Sequence, residues 1–257
     1  MSGAKKRIFP VHYAPGKKLF HIVVKLSDAP GSYSSILNLL GTKVNLIGTS
    51  TYSMKDGTAV FSGFSEALSP DLTAKELTSL IMASRAAISA EAFEGEDGVL
   101  VDTYHTGYLV GEDEHILMRR DGLIHMFDQV SYMLGSGGDV LLYEEGRALG
   151  VRNGETMVKS LGAERVRSQA IPLSRLLAAK GFGTLEYKPG PGKNAFTILV
   201  HDCFECAEPR SRRKGCNFLR GYLAGDASAS FGREYEAEET RCVLKKGSIC
   251  EFHLRAK

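Results

Sequence analysis

"LFHIVVKLSDAPGSYSSILNLLGTKVNLIGTSTYSMKDGTAVFSGFSEA", residues 19–67, changes its apolar period three times. A β-branched run at 19–26 predicts a strand, and the Asp28-Ala29-Pro30-Gly31 break that follows predicts a turn. Tyr33, Ile36, Leu37 and Leu40 then recur at helical spacing and predict a buried stripe, with Gly41 ending the helix. Residues 44–54 and 58–66 read as two strands joined at Asp56-Gly57, a strong short-range hairpin signal. Ser69-Pro70 predicts the start of a second helix, with Ser69 as N-cap and Leu72, Leu77, Leu80 and Ile81 on its apolar face. Residues 87–93 return as a strand. The order βαββαβ with right-handed crossovers gives an antiparallel sheet with both helices on one side, as in ferredoxin-like folds.

With "LSDAPGSYSSILNLL" and "VNLI" at their expected places, this pattern resembles the ACT domain, a small regulatory module that often binds amino acids. The resemblance runs from residue 19 to about residue 100. It implies a ligand loop carrying Asp28 and Gly31, with Asn45 at the start of the second strand, an amino acid as ligand, and a homodimer. A glycine turn lets backbone amides approach a carboxylate at a helix N-terminus, where the dipole favours negative charge. The same residues also suit a plain helix cap at Asp28 and a plain turn at Gly31.

The 257 residues are 43% hydrophobic and 24% charged, the balance of an ordinary soluble protein with one large domain or two smaller ones. A formal charge of +2 gives no basis for a direct nucleic-acid partner, and "EPRSRRKG" (208–215) reads as a solvated loop. No apolar stretch approaches the roughly 20 residues that span a bilayer. "MSGAKKRIFP" lacks the apolar core of a signal peptide, so a cytoplasmic location is expected. Five cysteines, an odd number in a reducing compartment, favour metal binding or buried thiols over disulfides.

"GEDGVLVDTYHTG" (95–107) reads as a junction, dividing the chain into 1–100 and 101–257. Beyond it, Leu123, Phe127, Val130 and Leu134 mark one face of a helix that has Asp121 near its start and Gly135 past its end. "DVLLYEEG" (139–146) reads as a buried strand. Gly146, Gly150 and Gly154 put bare backbone on one helix face, which calls for close packing against another element or a ligand cavity. "IPLSRLLAAKGFG" reads as a third helix with Pro172 in its first turn and Gly181 at its end. "GTLEYK" and "NAFTILVHDC" read as strands, and the intervening "PGPGK" lacks the order of a P-loop.

"EETRCVLKKGSICEFHL" (238–254) alternates as a hairpin turning near Lys246, which sets Cys242 opposite Cys250 and brings two thiolates within reach of one zinc ion. Tetrahedral zinc wants four ligands. One completion adds Cys203 and Cys206 of "CFEC"; the other adds Cys216 and Glu239.

The segment "KGCNFLRGYLAGDASASFGREYEAEETRCVLKKGSICEFHL" resembles the C-terminal signature of the 4-vinyl reductase domain. That family includes sensor domains of phenol- and toluene-responsive activators. Cys216, Gly221, Gly225, Glu239, Cys242, Cys250 and Phe252 occupy its signature places. The resemblance covers roughly residues 108–256 and implies an α+β domain with an antiparallel sheet packed on helices. It also implies one structural zinc on Cys216, Glu239, Cys242 and Cys250. Two details depart from the pattern. Gly247 lies one residue late, and strict alternation turns Glu239 away from Cys242 unless a bulge brings it round or Glu238 replaces it.

No nucleophile elbow, zinc-protease motif or dinucleotide fingerprint is present. The expectation is therefore a non-enzymatic sensor or regulator of α+β class that takes a small hydrophobic or aromatic molecule. Phe127, Tyr132, Phe196, His201 and Phe218 are the expected lining residues. The alternatives are an enzyme or enzyme subunit in vinyl-group reduction, and an assembly or adaptor protein related to vesicle-tethering subunits.

Overall fold

Leu19–Ser27 (β2) runs through the middle of a four-stranded antiparallel sheet, and seven of its nine residues are buried. The structure is a computed structural model that describes residues 5–8, 10–168, 170–190, 194–208 and 213–257. It divides into two compact units, Met1–Ile116 and Leu117–Lys257.

In the first unit, Val11–Tyr13 (β1) precedes β2, which leads into Ser32–Leu40 (α1), Val44–Ser53 (β3) and Thr58–Ala67 (β4). Ala74–Met82 (α2) and Ala87–Glu94 (β5) complete the βαββαβ order, and the sheet reads β3-β4-β2-β5. The β3–β4 hairpin turns through the Asp56-Gly57 pair, where Gly57 has φ +79. Phe20, Ile22, Val24 and Leu26 face one way and pack with Ile36, Leu40, Leu77 and Ile81 of the two helices. On the opposite face Leu19 and Phe64 pack with Leu100 of Val99–Val101 (β6), which pairs with β1. That pairing carries the unit past the expected boundary at residue 100. Tyr108–Val110 (β7) and Asp113–His115 (β8) form a final ribbon.

Two local expectations change. Leu37 is 39% exposed, because Ser32, Ile36 and Leu40 supply the buried row of α1. The second helix starts at Ala74 instead of Ser69-Pro70. Thr73 and Glu76 form a reciprocal capping box there, with Glu76 N donating to Thr73 Oγ1 (3.2 Å) and Thr73 N to Glu76 Oε2 (2.8 Å). Two otherwise unpaired amides are thereby satisfied, which Ser69, whose side chain accepts from the Asp71 amide, does not match.

The second unit begins with Arg120–Leu134 (α3), followed by Ser136–Leu161 (α4), Ala163–Ser168 (α5) and Ala170–Ala179 (α6). Thr184–Pro189 (β9) and Ala195–His201 (β10) lead to Asn217–Phe231 (α7), then Tyr235–Arg241 (β11) and Cys250–Ala256 (β12). The sheet order is β11-β12-β10-β9, antiparallel throughout. In α3, Ile124 and Phe127 are buried while Leu134 is exposed. Residues 191–193 of "PGPGK" and 209–212 of "EPRSRRKG" lie outside the described residues.

"DVLLYEEG" is helix, part of the 26-residue α4, and not a buried strand. Its burial has period four: Gly138, Leu142, Gly146, Gly150 and Gly154 form the covered row, while Val140 and Leu141 are exposed. Gly146, Gly150 and Gly154 of that row lie against α7, and Gly138 lies against Val130 of α3. A Cβ at Gly146 would stand 2.0 Å from the Phe218 carbonyl oxygen, and one at Gly150 2.1 Å from that of Tyr222. The relation is reciprocal, since a Cβ at Gly221 would stand 1.9 Å from the Tyr143 carbonyl oxygen and one at Gly225 2.1 Å from that of Arg147. Close approach offsets the helix-propensity cost of these glycines, about 1 kcal/mol each, and fixes where the N-terminus of α7 comes to rest.

Candidate metal centre and adjoining cavity

Cys216 is the N-cap of α7, held at the end of the rod that the glycine rows lock in place. The β11–β12 ladder approaches it from the side. Its register slips between Glu239 and Arg241, where a bulge adds one residue to β11. After the slip Arg241 faces Glu251, so Cys242 and Cys250 close the ladder together. The bulge also lets Glu239 reach the same end. Both of its carboxylate oxygens lie 3.2 Å from the Cys216 amide, which donates to them. A tight loop returns the chain, with the Lys245 and Gly247 amides both donating to the Cys242 carbonyl.

The third contribution is the 3-10 turn Phe204–Cys206 after β10, which carries Cys203 at its N-cap. All five cysteines are buried and unpaired as disulfides. Cys216 Sγ lies 3.7 Å from Cys203, 3.1 Å from Cys206, 3.8 Å from Cys242 and 3.7 Å from Cys250. The donor atoms of Cys216, Glu239, Cys242 and Cys250 all stand within 4.8 Å of one another, and so do those of Cys203, Cys206, Cys216 and Cys250. The two groups share Cys216 and Cys250, so the cysteines of "CFEC" join the Cys216–Glu239 set at one place, with Cys216 standing where the first completion had Cys242.

Crowded thiols share charge. Hydrogen bonds from Cys203, Cys216 and Cys242 bring Cys206 down to about 5, and the same contacts drive Cys216 strongly upward. A cluster of this kind stabilises one negative sulfur and resists a second unless a cation enters.

Glu205, Arg213 and Asp128 brace the cluster and carried no motif. The Glu205 carboxylate accepts from Arg213 Nη1 (2.8 Å) and from the Leu219 amide (2.8 Å) in the first turn of α7. Arg213 also donates to the Glu205 carbonyl (2.6 Å) and to Asp128 Oδ1 of α3 (2.7 Å). Burial pushes the Glu205 carboxyl up to about 7 despite Arg213. An acid beside a cysteine in a turn is too common a pattern to have been singled out from sequence.

A second feature is a cavity of about 100 Å³ between α4, α6, α7 and the sheet. Leu177, Leu185, Tyr187, Phe196, Leu223 and Phe231 supply apolar walls. Asn153 and Asp226 are its polar spot, bonded to each other at 2.8 Å, and burial raises the Asp226 carboxyl above its ordinary pKa. Of the residues expected to line a pocket, Phe196 does so. Phe127 and Phe218 stack on each other at 4.8 Å, and Phe127 belongs to the core around the cysteines. Tyr132 and His201 are not among the lining residues: Tyr132 is 70% exposed on α3, and His201 is exposed at the end of β10. A broader groove of about 700 Å³ is lined by polar residues including Arg220, Glu236, Glu238 and His253.

In the first unit Gly31 adopts φ +89 at the N-cap of α1. Asp28 and Asn45 are exposed, and Asn45 pairs with Glu66 in the β3–β4 ladder. Among the described residues no helix is long and apolar enough to cross a membrane.

An uncharacterized protein of Methanocaldococcus jannaschii is 25% identical over 119 residues, 46% of this chain and 65% of the relative, so slightly under two thirds of that relative's length is covered. Three solved structures are similar at lower identity. The phenol-responsive sensory domain of the transcription activator PoxR, with phenol, has a TM-score of 0.48 at 16% identity, covering 89% of this chain and 91% of that one. A trafficking protein particle complex subunit 3 from Naegleria fowleri, covalently bound to palmitic acid, has a TM-score of 0.44 at 16% identity, covering 54% and 95%. A vinyl-4-reductase family protein from Methanocaldococcus jannaschii has a TM-score of 0.36 at 19% identity, covering 57% and 85%. The family model of the 4-vinyl reductase domain matches residues 196–256. That match spans β10, α7, β11 and β12, and all five cysteines fall inside it.

Proposed function

We propose that this protein is a non-enzymatic sensor or regulator that binds a small apolar molecule in its second unit and holds one structural zinc ion in its cysteine cluster. The observation that carries the first half is the mostly apolar cavity with the bonded pair Asn153 and Asp226, beside Ser230, as its polar side. An apolar cavity of roughly 150 Å³ accommodates benzene, so about 100 Å³ suits one small ring or a short alkyl chain. A hydroxyl or amine on that ligand would find its partner at Asp226 or Asn153.

The donor set fits zinc by chemistry and by spacing. Tetrahedral zinc with Zn–S bonds of about 2.3 Å separates its sulfurs by about 3.8 Å. Cys216 stands 3.8 Å from Cys242 and 3.7 Å from Cys250. Cys206, at 3.1 Å from Cys216, is too close to share the ion with it undisturbed. Cys203 stands 3.7 Å from Cys216, the same spacing as Cys250, so spacing alone does not choose among the sulfurs, and the signature set Cys216, Glu239, Cys242 and Cys250 is the one proposed. Four protein ligands leave no open position, so the ion when bound supplies stability, tying α7 to the terminal hairpin. The first unit completes the proposal as an ACT-like regulatory domain that forms a homodimer and takes an amino acid near Asp28, Gly31 and Asn45. Its βαββαβ order and the left-handed turn at Gly31 support that reading.

Native mass spectrometry of the purified full chain tests these points together. The expected result is a dimer that carries zinc and releases a small aromatic or hydrophobic compound on denaturation. A chain free of both metal and ligand overturns the proposal.

A further inference from the structure

A second group of metal-ligating side chains stands in the first unit, far in sequence from the cysteine cluster. His21 lies on β2, on the sheet face that β6 covers, and is wholly buried. Asp102 follows β6, whose pairing ends with the Asp102 amide donating to the Pro10 carbonyl. The chain then folds back on the Asp102 carboxylate, whose Oδ1 accepts from the Tyr104 amide (3.1 Å) and the His105 amide (2.9 Å). This brings the His105 ring against the same carboxylate, with Nδ1 at 2.8 Å from Oδ2. One donor atom from each of His21, Asp102 and His105 lies within 4.8 Å of the others.

The hydrogen bonds of the two imidazoles give this group its meaning. Each ring has one nitrogen taken by a hydroxyl: His21 Nε2 by Ser62 Oγ at 2.9 Å, and His105 Nε2 by Tyr52 Oη at 3.1 Å. Both Nδ1 atoms are thereby turned toward Asp102. His21 Nδ1 is buried and has no hydrogen-bond partner, and it stands 3.8 Å from Asp102 Oδ1, too far for a bond. An orphaned buried nitrogen costs roughly 1–3 kcal/mol, and a cation between it and the carboxylate removes that cost. Metal-bound histidines characteristically anchor their second nitrogen in this way.

The spacing is consistent. Bonds of about 2.0–2.1 Å to nitrogen and oxygen in a tetrahedron set the donors about 3.3 Å apart; His105 Nδ1 stands 2.8 Å from Asp102 Oδ2 and His21 Nδ1 3.8 Å from Asp102 Oδ1, each about half an ångström from that value. Two imidazoles and one carboxylate suit a borderline cation such as zinc better than calcium or magnesium, which want an all-oxygen shell. Asp102 and His105 retain 19% and 23% side-chain exposure, so the group opens to solvent on their side.

We propose that His21, Asp102 and His105 form a zinc-class divalent-cation site in the first unit, with its fourth position open to water or an exogenous ligand. The site is independent of the cysteine cluster.

The test is zinc stoichiometry of the full chain after metal stripping and zinc reconstitution, repeated with cobalt as a spectroscopic probe. His105→Gln and Asp102→Asn are each expected to bind one ion fewer per chain than the parent, while keeping any thiolate-to-cobalt charge-transfer band intact. Should the cysteine cluster bind nothing, the parent takes one ion and His105→Gln none, which still supports the site. Unchanged stoichiometry in both variants, each folded by circular dichroism, overturns it and leaves water as the partner of His21. His105 is partly exposed, so its variant remains informative even where a His21→Gln variant fails to fold.

Discussion

The sulfurs of Cys206 and Cys216 lie 3.1 Å apart, one in the turn after β10 and the other at the head of α7. That is shorter than two thiolates on one zinc ion allow, whereas Cys216 with Cys242 and Cys250 has the required spacing. Cys242→Ser is therefore expected to lose zinc and to lower the Tm by roughly 5–10 °C, measured by metal analysis and thermal denaturation of the same sample. Cys206→Ser should keep its zinc and Glu239→Gln should lose it. The opposite pair of results would make Cys206 the fourth ligand.

The α4–α7 contact has no room for a methyl group. Gly150→Ala places a Cβ where the Tyr222 carbonyl oxygen stands 2.1 Å away, so the helices must part. The expected cost is about 3 kcal/mol in urea unfolding. Gly137→Ala, on the same helix with nothing within 4 Å, is the control, and should be neutral or stabilising by about 0.5–1 kcal/mol.

The capping box of α2 predicts a modest and local effect. Thr73→Ala removes the acceptor of the Glu76 amide and should cost about 1 kcal/mol. Chemical denaturation followed by a probe in the first unit measures it.

At the β3–β4 turn, hydrogen bonds from Thr58, then Lys25, hold the Asp56 carboxyl down at about 2. A depressed carboxyl stabilises the fold above its unfolded pKa, near 4, and that contribution is lost as pH falls toward 2. Asp56→Ala should flatten the stability of the first unit across that window. An unchanged acid profile would show that the turn carboxylate plays no part in it.

The cavity can be closed from within. Ala227→Phe adds a ring to a wall residue of the apolar space, and is expected to abolish any co-purified compound while zinc content stays at the parental value. Retention of the compound would place its site elsewhere.

Local chemistry made much of this protein legible in the chain alone. The hairpin at Asp56-Gly57 and the βαββαβ order rest on turn residues and apolar periods that act over a few residues. Cys242 and Cys250 meet because the register of one hairpin sets them opposite each other, and the bulge needed to bring Glu239 round is present. Short-range signals failed where two readings shared one pattern. Residues 139–146 are apolar enough for a buried strand, yet they run as helix into Gly146, Gly150 and Gly154, which lie against the backbone of α7. Contacts that join distant segments were settled by tertiary packing. The return of "CFEC" to Cys216, the Glu205–Arg213–Asp128 brace, the Asn153–Asp226 pair and the approach of His21 to Asp102 all depend on it. No local period encodes such meetings, because none lies within one helix or strand, and those of Asp128 with Arg213, Asn153 with Asp226 and His21 with Asp102 close long loops whose ends are brought together by the burial of other residues.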